Sequence, residues 1–212
     1  MGETLLNEIT AITPQVKDKT RCNIYVDGRF CCGLTLEATV KNRLKVGQIV
    51  TAERLAEIQL ESEKNTAFDK ALTHLSATRK TEKQVRSYLS DKGYLPAVID
   101  CVVEKLRSYN FLNDGEYADA YVEFAAKKKG NKLIRMELRA KGVSDAEIDT
   151  ALENVDEETE LLAAKELLQK YMRGKSADVQ TLQKAYRYLM SKGFDYDVAK
   201  RALSTLKEMD EE

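Results

Sequence analysis

Leu138-Arg139-Ala140-Lys141-Gly142-Val143 returns on either side as Leu89-Ser90-Asp91-Lys92-Gly93-Tyr94 and Leu189-Met190-Ser191-Lys192-Gly193-Phe194. The three glycines are 49 and 51 residues apart, which is an internal repeat. Agreement extends outward at helical spacing. Four residues before each Gly stands Leu89, Leu138 or Leu189, and eight before stands Val85, Ile134 or Ala185. Six after stands Ile99, Ile148 or Ala199, and ten after stands Val103, Leu152 or Leu203. These i, i+4 stripes predict two helices joined at each Lys-Gly. A Gly just past the last apolar position is what a left-handed helix C-cap requires, and a Lys in the final turn opposes the helix dipole. The Lys-Gly pairs therefore read as architecture rather than as a site.

An earlier helix completes each unit, read as Phe68-Ala71-Leu72-Leu75, Tyr117-Ala120-Tyr121-Phe124 and Leu161-Ala164-Leu168-Tyr171. A three-helix unit of roughly fifty residues buries too little surface alone, so adjacent units are expected to stack into an elongated, curved body.

Only the first stretch alternates like β-structure. Ile9-Thr10-Ala11-Ile12 is followed by Asn23-Ile24-Tyr25-Val26, Asp27-Gly28 and Arg29-Phe30-Cys31-Cys32. Asp27-Gly28 between two such runs is a type I′ hairpin signal, which sets Tyr25 opposite Phe30 and Ile24 opposite Cys31. A hairpin alone is marginal, so Ile9 to Ile12 is expected as a third strand and the amphipathic Leu36 to Leu44 as a cover. Thr51 then reads as an N-cap. The expected class is mainly α: a small β-rich cap at 1–50, a linker helix with repeat 1 at 51–112, repeat 2 at 113–155 and repeat 3 at 156–212.

Composition supports amphipathic helices over disorder, since 43% of residues are hydrophobic and 33% charged with only 2 Pro. No apolar run approaches the ~20 residues that cross a bilayer, and Met1-Gly2-Glu3-Thr4 is acidic where a secretory signal is basic. A cytoplasmic location without membrane contact is expected. Cys22, Cys31, Cys32 and Cys101 contain no C-x-x-C, and His74 is the one His, so no metal site is expected and the cysteines read as buried thiols. His74 has no neighbouring nucleophile, and no Gly-rich phosphate loop is present, so neither enzymatic activity nor a cofactor is expected.

The net charge of -1 conceals segregation. Lys127 to Lys141 holds seven Lys or Arg and one acid, whereas Ser144 to Glu166 holds nine acids and one Lys. At about 100° per residue, Lys128, Lys132, Arg135 and Arg139 fall in a sector roughly 60° wide beside Ile134 and Leu138. Lys83 and Arg86 occupy the positions of Lys132 and Arg135 in repeat 1, preceded by Arg79 and Lys80. These eight residues are the candidate surface for a partner or for DNA phosphates, set against the plainer reading of a solvated helix face. A pI of 6.1 argues against DNA as the only partner.

The pattern Ala71-Leu72-x-x-Leu75, Val85-x-x-x-Leu89-x-x-Lys92-Gly93, Leu112-Asn113-Asp114-x-x-Tyr117-Ala118 and Gly130-x-x-x-Ile134-x-x-Glu137-Leu138-x-x-Lys141-Gly142 resembles the RecX family. Ile9 to Ile12, the hairpin and Leu44-Lys45-Val46-Gly47-Gln48 resemble the strand-bearing extension of its longer members, so the likeness spans residues 5 to 206. The resemblance implies a cytoplasmic modulator that binds RecA and RecA-DNA filaments and restrains filament growth and strand exchange without chemistry of its own; a monomer is expected. The third repeat departs most, with Gln183 and Tyr186 where the first two repeats are basic. The alternative is a helical nucleic-acid-binding module or repressor, whose recognition helix would carry Asn, Gln or Arg. The post-glycine segments instead read Pro96-Ala97-Val98, Ser144-Asp145-Ala146 and Asp195-Tyr196-Asp197, two of them acidic.

Overall fold

The computed structural model describes residues 6–16 and 18–209, so Met1-Gly2-Glu3-Thr4 lies outside the described residues. The chain groups into two compact units, Met1–Ala77 with Arg86–Ser108, and Thr78–Val85 with Tyr109–Glu212.

The first unit opens with strands β1 (Leu6–Pro14), β2 (Arg21–Val26) and β3 (Arg29–Thr35), the short helix α1 (Leu36–Lys41), and β4 (Ile49–Thr51). The strands form one antiparallel sheet in the order β3-β2-β1-β4. Asp27 and Gly28 both take positive φ, 47° and 78°, as a type I′ turn demands. Tyr25 pairs with Phe30 as expected, but Ile24 pairs with Cys32, not Cys31, because a bulge intervenes at Ile24/Tyr25. The extra residue shifts alternation by one, turning Cys32 into the core and Cys31 to solvent. The expectation of four buried thiols therefore fails at Cys31, and Cys101 is only half-buried. The sheet also gains a strand that was not foreseen: β4 is three residues long, too short for alternation to register, and pairs with Leu6–Glu8 of β1.

Thr35 caps α1 by accepting from the Ala38 amide at 3.1 Å, and Thr51 caps α2 (Ala52–Ala77) by accepting from the Arg54 amide at 3.2 Å. The 26-residue α2 buries two faces in succession. Leu55, Ile58 and Ser62 lie on one side and Ala67 and Ala71 on roughly the opposite side, at about 100° per residue. Its first half closes the sheet's core of Ile9, Ile24, Leu34 and Val50, and its second half is the first helix of repeat 1. Repeat 1 continues with α3 (Glu82–Asp91) and α4 (Pro96–Ser108), burying Val85, Leu89, Val98, Val102 and Leu106.

Repeat 2 comprises α5 (Asp114–Ala125), α6 (Asn131–Lys141) and α7 (Asp145–Leu152); repeat 3 comprises α8 (Glu157–Met172), α9 (Val179–Ser191) and α10 (Tyr196–Met209). The expected stripe on α5 is off by one: Ala118, Val122 and Ala125 are buried, whereas Ala120 is exposed and Phe124 is 66% exposed. The small residues set the helix close to its neighbours, and the aromatic rings that invited the reading lie on its flank.

Each Lys-Gly is a Schellman turn. Gly93, Gly142 and Gly193 have φ of 84°, 93° and 87°. Tyr94, Val143 and Phe194 donate back to the carbonyls of Leu89, Leu138 and Leu189, which satisfies the open helix ends. The lysines do more than oppose a dipole. Lys92 lies over Tyr88, Lys141 over Tyr121 and Lys192 over Tyr188, each within 6 Å of the ring centroid.

Candidate interaction surface

The second helix of repeat 2 is held at its start by the turn of repeat 3. The Gly130 amide donates to the Lys192 carbonyl at 2.9 Å, the Lys132 amide donates to the Gly193 carbonyl at 3.2 Å, and Glu160 accepts from both the amide and the side chain of Asn131 at 2.9 and 3.0 Å. The start of α3 meets the turn of repeat 2 in the same way. The Thr81 hydroxyl donates to the Lys141 carbonyl at 2.7 Å, Lys83 Nζ to the Ala140 carbonyl at 3.0 Å, and the Glu82 amide to Asp114 at 2.9 Å. In both junctions a carboxylate receives a free amide of a helix N-terminus, while the carbonyls of a Lys-Gly turn accept backbone amides in one and side-chain donors in the other. The Asn113-Asp114 pair thereby divides its work: Asn113 caps α5 through the Glu116 amide, and Asp114 holds α3.

This junction decides where the candidate cations go. Lys83 is committed to it. Lys132, Arg135 and Arg139 share α6, and each meets an acid: Lys132 pairs with Asp195, Arg135 with Asp149 at 2.5 Å and Arg139 with Asp145 at 2.6 Å. Lys128 lies in the turn before α6, outside the helical projection, with Nζ 4.9 Å from the centroid of the Phe124 ring. In the first unit Arg86 pairs with Asp100 at 2.5 Å. Arg79 reaches the Glu116 carbonyl at 3.4 Å, at the edge of a concavity of about 580 Å³ also lined by Asp119 and Glu123. Lys80 is half-buried. The ridge therefore exists on α6 as three cations, each with a carboxylate beside it.

Those carboxylates went unread in the sequence, although a signal was present. Arg86 and Arg135 each stand seven residues before a Lys-Gly glycine, and Asp100 and Asp149 each stand seven after. The pairing is one cross-helix bridge used twice. It stays open to water, with 33% of the Arg135 and 39% of the Arg86 side chain exposed. Such pairs contribute at most about 1 kcal/mol, so a phosphate or a partner's carboxylate can exchange with them at small cost.

Deeper in repeat 2, Glu137 accepts from Tyr121 at 2.5 Å and from Lys129 at 2.7 Å. Burial pushes the Glu137 carboxyl up, but these donors outweigh it and hold it below the usual range. Tyr121 is pushed up by burial and by its bond to Glu137. Glu160 is pushed up by burial, against the opposing bond from Asn131. Each of these groups is occupied by structural partners, and among the described residues no group of His, Cys, Asp or Glu is arranged to hold a metal ion. No described helix is long and apolar enough to cross a membrane.

Three-helix units in tandem, preceded by a small sheet, define a helical-repeat protein. The chain belongs to the RecX family. Four family models match in order: the regulatory protein RecX N-terminal domain at residues 7–51, and the first, second and third RecX three-helix domains at 67–106, 113–152 and 158–203. The chain is 35% identical to regulatory protein RecX of Clostridium perfringens (strain 13 / Type A), covering 91% of this chain and 92% of that protein. It is 33% identical to regulatory protein RecX of Bacillus subtilis (strain 168), covering 94% and 77%. A crystal structure of regulatory protein RecX superposes with a TM-score of 0.69 at 29% identity, over 92% of this chain and 98% of that one. RecX from Lactobacillus salivarius superposes with 0.64 at 26% identity, over 68% and 97%.

Proposed function

We propose that this chain is a cytoplasmic regulator of the RecA recombinase that binds RecA and its nucleoprotein filament, lowers filament growth and ATP turnover, and so acts in homologous recombination, DNA repair and the SOS response. The observation that carries the reading is the unbroken order of four RecX models across the chain, together with relatives that bear the name regulatory protein RecX. It acts by binding, not catalysis. Glu137 and Glu160, carboxylates with shifted ionisation in repeats 2 and 3, are tied to Lys129 and Asn131, where they hold helices.

The binding surface in this reading includes Lys132, Arg135 and Arg139 on α6, with Lys128 before them and Arg79, Lys80 and Arg86 as the corresponding group of repeat 1, while Lys83 is held by the Ala140 carbonyl. A filament presents acidic protein surface and phosphates together, and exposed, exchangeable ion pairs suit both. A single copy carries the α6 ridge complete, which fits action as a monomer. Against a helix-turn-helix repressor, α7 opens on a capping box of Ser144 and Glu147 with Asp145 beside it, carboxylates that phosphates would repel.

The test is the single-stranded-DNA-dependent ATPase of RecA with this protein added at substoichiometric ratios. A fall in rate is expected, and combined Lys132→Glu, Arg135→Glu and Arg139→Glu substitutions should raise the amount needed by about tenfold. No effect of the wild-type chain at any ratio overturns the reading.

A further inference from the structure

Repeat 3 breaks the bridge that repeats 1 and 2 share. Where they place Arg and Asp seven residues before and after the glycine, it places Tyr186 and Lys200. Both members change together, so an ion pair gives way to a ring and a cation. The two helices there border a concavity of about 430 Å³ lined by Tyr186, Tyr196, Lys200, Leu203 and Ser204. The Tyr186 and Tyr196 rings meet edge to face, centroids 6.1 Å apart at 76°, and Lys200 Nζ stands 5.9 Å from the Tyr196 centroid.

Tyr196 stands two residues from the fully buried Phe194 yet is 56% exposed itself. A tyrosine that only completed a core would hide its ring, as Phe194 does. Tyr186 packs one side against the repeat's core. The rim is electrostatically mixed but not repellent to an anion. Asp195, next to Tyr196 in the chain, is paired with Lys132. Lys132 begins the α6 row of cations, so a chain of phosphates passing Lys200 finds further positive charge along the same unit.

We propose that this concavity of repeat 3 binds single-stranded nucleic acid, one unpaired base stacking on the Tyr196–Tyr186 pair while Lys200 meets an adjacent phosphate. An aromatic face accepts any base, whereas paired bases in a duplex keep their faces covered. An acidic peptide would use the lysine but leave the rings in water. The inference goes beyond the RecA reading and does not depend on it, because the purified chain alone is the test material.

Fluorescently labelled oligo-dT and oligo-rU of about twenty nucleotides are titrated with the full-length protein and read by anisotropy. Tyr196→Leu should weaken binding about tenfold. Tyr196→Phe, which keeps the stacking face, should stay within about twofold of wild type. Lys200→Gln should reduce the steepness of the log affinity against log salt plot by about 0.7, one phosphate contact on a single strand. Binding of either oligonucleotide with this pattern supports the proposal, and the two arms tell deoxyribose from ribose preference. Absence of binding to both overturns it. So does a Tyr196→Leu affinity equal to wild type, a Phe variant as weak as the Leu variant, or a duplex competitor as effective as the single strand. The RecA ATPase assay on the same variants scores the regulator reading separately.

Discussion

The Gly130 amide donates to the Lys192 carbonyl at 2.9 Å, which brings the backbone of repeat 2 into contact with the helix-ending turn of repeat 3. A Cβ on Gly130 would stand 2.4 Å from backbone atoms of Gly193 and Phe194, and one on Gly193 would stand 2.3 Å from the Leu133 Cβ. Gly93 has the same left-handed φ but nothing within 4 Å of an added Cβ. Gly93→Ala should therefore cost about 1–2 kcal/mol, the conformational penalty alone. Gly130→Ala, with ordinary φ but a backbone clash, should cost about 2–3 kcal/mol. Gly193→Ala combines both penalties and should be the most destabilising of the three. Urea unfolding followed by far-ultraviolet circular dichroism ranks them; equal losses at Gly93 and Gly193 would contradict the junction.

Glu160 should make the protein respond to acid against the usual direction for a carboxylate. Burial raises its pKa, so the folded state holds the proton more tightly than the unfolded chain. Its contribution to stability accordingly increases as pH falls from the raised value toward 4.5, and levels off below. Compared at about pH 5 and about pH 7.5, wild type should gain stability relative to Glu160→Gln on acidification. Glu160→Ala should cost about 2 kcal/mol at about pH 7.5, since the Asn131 amide and side chain lose their acceptor, and more at about pH 5.

Glu137 pulls the other way. Lys129 and Tyr121 hold its pKa low, so its stabilisation is present above 4.5 and is lost as pH falls through the depressed value. Tyr121→Phe should cost about 1 kcal/mol at neutral pH, and Lys129→Ala more, because the half-buried carboxylate then keeps only a neutral donor. Thermal melts across the acid range should show the pH slope reduced in Glu137→Gln.

Cys31 should be the fast thiol. It is exposed by the bulge at Ile24/Tyr25, whereas Cys22 and Cys32 are in the sheet's core and burial pushes the Cys32 thiol up to about 12. A thiol reagent on the native protein should label Cys31 first, the half-buried Cys101 more slowly, and Cys22 and Cys32 only on unfolding. Mass spectrometry of the labelled peptides reads the order, and early labelling of Cys32 would contradict the register.

The RecX residues quoted from the sequence acquire distinct physical duties in the structure. Gly130 allows backbone contact, Asn113 caps α5 while Asp114 holds the start of α3, and Glu137 anchors Tyr121 and Lys129. Their presence was legible; their duties were not, because each partner lies on another helix. The candidate cations were legible in the same limited sense. Their row on α6 follows from spacing, and so does Asp149 seven residues past the glycine, but Asp145 and Asp195 follow only from how α6 meets the start of α7 and the turn before α10.

By itself the sequence determined the repeat period, the three helix-ending glycines, the hairpin turn and the family. These depend on local rules: a period of 3.6 residues, a left-handed cap that favours Gly, a turn with two positive φ angles. Tertiary structure alone decided that Cys31 faces solvent, that β4 joins the sheet, that Lys83 serves a junction, and that Tyr186 and Lys200 share a concavity. Each of those outcomes rests on a bulge, or on contacts between residues distant in the chain, and neither hydrophobic periodicity nor charge spacing records which distant groups will meet.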